Sequence, residues 1–171
     1  NYKYNDSFLR PSMVSKCMYD LWSGSEGCET PLRYYINYRN FIYLTEGKAT
    51  LRLIPPQSSK YLSPIMDYEN GEYRSPLNPW DIQEEYKPEF NKVKTLDIDL
   101  QPGSVVYIPA YWWSSVRYDK ISSICCFQYL TYMNMLAILP ELVMGLLQRQ
   151  NIRHQTIPKM KIKEEETKKS T

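Results

Sequence analysis

Leu100-Gln-Pro-Gly-Ser-Val-Val-Tyr-Ile-Pro-Ala-Tyr-Trp-Trp-Ser-Ser-Val116 is the stretch from which the rest of the chain can be read. Pro102 and Gly103 mark a turn. The β-branched and aromatic run at 105–109 then reads as a short, buried strand closed by Pro109. Residues 111–118 read as a further strand. Successive strand residues face opposite sides, so one of Trp112 and Trp113 fills the core and the other packs against whatever covers the sheet. Upstream, residues 93–100 alternate apolar side chains with Lys and Asp, as a half-buried strand does. Asp97 and Asp99 share a face there, and carboxylates two apart with lysines close by read as a solvated strand face. Downstream, residues 122–131 read as another strand.

The same signals recur towards the N-terminus. Residues 17–22, 31–37, 41–45 and 49–54 read as strands, with turn clusters at Ser23-Gly-Ser-Glu-Gly27 and Glu46-Gly47, and Pro55-Pro56 ends the last of them. Residues 56–92 form a long connection with one short helix over 81–86, and a connection of that length reads as a packed excursion. About eight strands at this spacing make the chain mainly β, a sandwich or barrel over residues 17–131. Residues 1–16 read as an irregular leader. Residues 132–157 read as a helical segment, broken or kinked near Pro140, whose apolar stripe includes Leu139, Leu142, Val143 and Leu146. Residues 158–171 read as a charged, solvated tail.

Composition narrows the chemistry. The 171 residues carry 21 Lys plus Arg against 19 Asp plus Glu, a net charge of +2 that argues against a chain-wide phosphate-binding surface and predicts no nucleic-acid partner. There are 16 Tyr and 12 Pro but a single histidine, His154. Cys17, Cys28, Cys125 and Cys126 make no C-x-x-C pair and read as free, mostly buried thiols. The N-terminal residues are polar and aromatic, and no apolar run is long enough to cross a bilayer, so the expected setting is intracellular. No nucleophile elbow, P-loop or dinucleotide fingerprint occurs. The cluster Tyr34, Tyr35, Tyr38 and Tyr43 suits either strand propensity or a recognition surface.

The stretch 100–116 resembles the signature of the JmjC-like cupin (cupin-8) family, the group that includes the asparaginyl hydroxylase acting on hypoxia-inducible factor. Gly27-Cys-Glu-Thr-Pro31, Asn40 with Glu46-Gly47 and Leu53-Ile-Pro-Pro56, and Asn78-Pro79 through Pro88-Glu-Phe90 resemble further family segments in the right order. The resemblance implies a double-stranded β-helix, a jelly-roll or cupin barrel of two antiparallel sheets, with a C-terminal helix. Active members hold Fe(II) at the barrel mouth through a His-x-Asp/Glu pair and a distal His, leaving room for 2-oxoglutarate and oxygen.

Placed residue by residue, that triad is missing. The distal histidine falls at Ser114. Counting back from Asn40 and Gly47 puts the His-x-Asp pair at Tyr34 and Ile36, whereas counting forward from Thr30-Pro31 puts it at Arg33 and Tyr35. The co-substrate lysine falls at Ala49, beside Lys48, and Thr30 and Asn40 stand where the family has polar contacts to the co-substrate. A further family asparagine falls near Cys126. The expectation is a barrel with no cofactor and no catalysis, its mouth filled by large side chains such as Arg33 and Tyr34. Such a barrel would work as a protein-binding or structural module in an assembly. The apolar helix would provide the contact, with other proteins or with a second copy of the chain. Two other readings are a structural subunit of a virion or organellar complex, and a residual oxygenase or sensor that binds 2-oxoglutarate or another small acid through Thr30, Lys48 and Asn40.

Overall fold

Alternating side chains and closely spaced turns produce two facing antiparallel sheets. The computed structural model describes residues 2–36, 39–67 and 72–154. In chain order the elements begin with helix α1 (Tyr2–Leu9) and strands β1 (Val14–Gly24), β2 (Arg33–Tyr35), β3 (Arg39–Glu46) and β4 (Ala49–Ile54). A 3-10 turn (Pro56–Tyr61), the short strands β5 (Ile65–Asp67) and β6 (Glu72–Arg74) and helix α2 (Lys87–Phe90) follow. Strands β7 (Leu96–Leu100), β8 (Val105–Ile108), β9 (Trp113–Tyr118) and β10 (Ser122–Thr131) complete the sheets, and helices α3 (Tyr132–Ala137) and α4 (Leu139–His154) close the described chain. One sheet runs β1-β10-β3-β8 and the other β5-β6-β2-β9-β4-β7, the crossed order of a jelly-roll.

Side-chain parity decides what lies between the sheets. Ile42, Leu44, Ile108, Ile124 and Cys126 face inward from the first sheet, and Ala49, Leu51, Leu53, Leu100, Val116 and Tyr118 face them from the second. A second core lies outside the second sheet, where Leu32, Ile54, Leu62, Leu77, Phe90 and Trp113 meet under the long connection. The two tryptophans divide accordingly. Trp113 is fully buried beneath the connection, its Nε1 donating to Ser59 Oγ at 3.3 Å, while Trp112 packs against the barrel core.

Several local expectations need correction. Residues 1–16 are not irregular throughout, because α1 docks on the outer face of the first sheet. There Asp6 accepts hydrogen bonds from Tyr19 (2.7 Å) and Tyr129 (2.8 Å) and pairs with Arg10 one helical turn on. Instead of a helix at 81–86, the chain turns there and α2 starts at Lys87, where Pro88 sits in the first turn and needs no amide partner. The long connection also contributes β5 and β6 to the second sheet. Strand β8 is not a buried strand. It lies at a sheet edge, and Val105 and Tyr107, on its outer face, are exposed. Of the thiols only Cys126 is buried, and Cys28 is exposed.

The C-terminal helix is two helices. Thr131 Oγ1 accepts from Asn134 N, and Asn134 Oδ1 accepts from Thr131 N, which starts α3 at the end of β10. α3 stops at Ile138, a buried anchor, and Pro140 falls in the opening turn of α4. Tyr38 and the tail at 158–171 lie outside the described residues.

Candidate functional site

Strand β2 carries three of the positions that matter, and alternation separates them. Arg33 pairs across the ladder with Ser114 of β9, and Tyr35 pairs with Glu72 of β6, so these four side chains share the inner face. Tyr34 points the other way. It stacks on Tyr73 (centroids 4.7 Å apart) and meets Trp113 edge-on at 4.8 Å in the outer core. Arg33 and Tyr35 therefore fill the mouth, in place of the expected pair Arg33 and Tyr34. Ile36 lies just past the end of β2. Of the tyrosine cluster, Tyr35 points inside and Tyr34 outside, so these two do not share one recognition surface.

The Arg33 guanidinium is held on three sides. Its carbon lies 4.9 Å from the Trp22 ring and 5.3 Å from the Tyr35 ring, and Nη1 is 3.5 Å from Glu72 Oε2. Glu72 is only 1% exposed, and its other oxygen accepts from Arg74 Nε at 2.5 Å. Arg74 in turn lies 3.4 Å from Asp67, and its hydrogen bond to Glu72 is the main cause of a raised guanidinium pKa. Burial pushes the Tyr35 phenol up despite the neighbouring Arg33, and burial, reinforced by the Asp20 carboxylate, pushes the Cys126 thiol up. Both groups stay protonated at neutral pH, and Cys126 is a poor nucleophile.

What remains of the interior opening is a cavity of about 10 Å³ between Trp22, Tyr35, Asn40, Trp112, Ser114 and Gln128. That is room for at most one water molecule and far too little for a five-carbon dicarboxylate. Gln128 had not been singled out in the sequence. It pairs with Asn40 across the β3–β10 ladder, and both face this space. Its position two residues beyond Cys126, on the same strand face, was the available clue. Glu72 was missed as well, because it sits in a connection where spacing carries no signal.

These donors do not suit Fe(II). A guanidinium repels a cation, a neutral, partly buried phenol is a weak ligand, and the Ser114 hydroxyl donates to the Arg33 carbonyl at 3.3 Å. Among the described residues no group of three or more His, Cys, Asp or Glu side chains comes together in a way that could hold a metal ion.

The co-substrate positions are dispersed. Thr30 ties the loop between β1 and β2 to β9, its Oγ1 accepting from Val116 N at 2.8 Å and its carbonyl accepting from Ser115 Oγ at 2.6 Å. Asn40 opens β3 and faces inward, whereas Lys48 is exposed in the turn after β3, about 20 Å away along the strand. Ala49, where the family lysine would fall, is fully buried in the core. Thr30, Asn40 and Lys48 are thus not one site. Asp97 and Asp99 lie on the outer face, Asp97 in a two-point pair with Arg52 (2.7 and 2.6 Å). That pair holds the Asp97 carboxyl below its usual range, against a partial upward pull from burial.

The apolar residues of α4 are largely uncovered. Leu139, Val143 and Leu146 are exposed and Leu142 is partly covered. No helix among the described residues is long and apolar enough to cross a membrane.

Comparison with known proteins agrees with this architecture. The family model for a cupin-like domain (cupin-8) matches residues 5–134. The chain is 30% identical over 98 residues to HSPB1-associated protein 1 of Homo sapiens and of Bos taurus, which covers 57% of this chain and 20% of each relative. It is 28% identical over 100 residues to HSPB1-associated protein 1 homolog of Danio rerio, covering 57% of this chain and 22% of that protein. The chain thus spans about a fifth of the length of these relatives.

Proposed function

The chain belongs to the cupin-like domain (cupin-8) family, and on that premise we propose that it is a non-catalytic member that works as a protein-binding module. The observation that carries this reading is the Arg33–Glu72 ion pair across the barrel mouth, beside a cavity of about 10 Å³. Arg33, Tyr35 and Ser114 then stand at the vacated metal positions, and the cation the fold once took from solution is replaced by one on its own strand. Relatives whose name describes them as associated with another protein fit a binding role. The uncovered apolar side chains of α3 and α4 supply the surface, for another protein or for a second copy of the chain.

The test is thermal unfolding with Mn(II) and 2-oxoglutarate in large excess, Mn(II) standing in for Fe(II) without its oxidation. The expected result is no change in Tm. A ligand at 100 times its Kd adds about 2.7 kcal/mol, and a shift of that size would overturn the reading. Association is read by light scattering. Leu146→Asp is expected to abolish any self-association without changing stability, because Leu146 is 63% exposed.

A further inference from the structure

The uncovered helical surface has one built recess. Between α4 and the hairpin of β5 and β6 lies an open groove of about 230 Å³ lined by Met66, Tyr73, Pro140, Glu141 and Met144. The Tyr73 ring is held in place by its stack on Tyr34. The two methionines offer flexible thioethers that mould to an irregular apolar guest. Glu141 is the one charged group in the lining. On α4, Val143 and Leu147 stand three residues on from the lining residues Pro140 and Met144, both about half exposed and one helical turn apart. The family match ends at residue 134, before α4 begins.

An apolar channel with a single carboxylate in its lining complements a long methylene stem carrying a cation, which is a lysine or arginine side chain. The strip at Val143 and Leu147 complements apolar residues spaced one turn from it, as on an amphipathic helix. We propose that this groove binds an amphipathic helix of a partner protein, whose apolar face carries a lysine or arginine that reaches Glu141. The inference rests on the reading of the chain as a protein-binding module and assigns the partner's chemistry.

The experiment titrates the full chain into two fluorescent helical peptides, one built from Leu and Lys and the other from Leu and Glu, and follows anisotropy. The Leu/Lys peptide is expected to bind and the Leu/Glu peptide not. Glu141→Lys should weaken the Leu/Lys peptide about tenfold or more, while Glu84→Lys, the same charge change on an exposed turn away from the groove, should leave it unaltered. Equal binding of both peptides, or equal loss in the two variants, would overturn the proposal. A chain ending at residue 154 that binds the peptide tenfold more tightly would assign the groove to the chain's own Lys159-Met-Lys-Ile-Lys163 and overturn it too. So would a dimer seen by light scattering that Glu141→Lys dissociates. The Mn(II) and 2-oxoglutarate melt keeps the two failures apart, because a stabilising shift there sinks the binding-module reading, whereas a flat melt with no peptide preference sinks only the groove.

Discussion

Glu72→Gln removes the carboxylate facing Arg33 and leaves a guanidinium whose side chain is only 17% exposed. Taking away one partner of a buried pair costs about 3–5 kcal/mol, because the survivor is neither solvated nor compensated. The rings of Trp22 and Tyr35 still face the guanidinium, and Arg74, 45% exposed, can turn to water. These features place the expected loss at the low end, about 3 kcal/mol. For a chain of this length each kcal/mol lowers Tm by about 2–4 °C, so a fall of about 6–12 °C is expected. Chemical denaturation should give the same loss with an unchanged m-value. The double variant Arg33→Leu/Glu72→Leu removes both charges and should recover most of the stability. A loss below about 1 kcal/mol in the single variant, or a double variant no more stable than the single, would refute the claim that Glu72 compensates the buried charge of Arg33 at the mouth.

Three further outcomes follow from the geometry. Gly47 has φ +91°, and a Cβ there would run into the Ile121 carbonyl and Ser122 Oγ, so Gly47→Ala should cost more than about 2 kcal/mol in urea unfolding. Burial pulls the Asp6 carboxyl up, but the hydrogen bonds from Tyr19, Tyr129 and Arg10 together bring it below its ordinary 3.8. Its contribution is therefore present above pH 3.8 and lost as pH falls through the lower folded value. The protection of α1 amides relative to their intrinsic exchange rate should fall in that acid window, and in Asp6→Ala it should already be low at neutral pH. Thiol titration should label Cys28 first and Cys126 only on unfolding. Early loss of Cys126 would contradict its burial.

The barrel was legible because its strands are self-announcing. Ser122–Thr131 is bounded by the residues that sequence alone suggested, and the opposite facing of Trp112 and Trp113 follows from strand parity. The content of the mouth was less accessible. The chain permitted two registers one residue apart, and one residue is the shift that turns every side chain to the other face. The ladder pairing Arg33 with Ser114 resolves which residues face inward, and that pairing is a long-range fact. Glu72 was invisible for the same reason, since its meaning depends on an arginine 39 positions earlier in the chain. α1 was missed because its docking depends on hydroxyls from Tyr19 and Tyr129, not on any helical signal of its own. Val105 and Tyr107 look like core residues by type, and only their place on an edge strand exposes them.

A cupin barrel with a dissolved ion at its mouth has a conditional centre, since the ion can be chelated, oxidised or in short supply. Here the central positive charge is attached to the backbone of β2 and its counter-charge to β6. Loss of either partner strands the charge of the other, so a change at position 33 is best tolerated when position 72 changes with it.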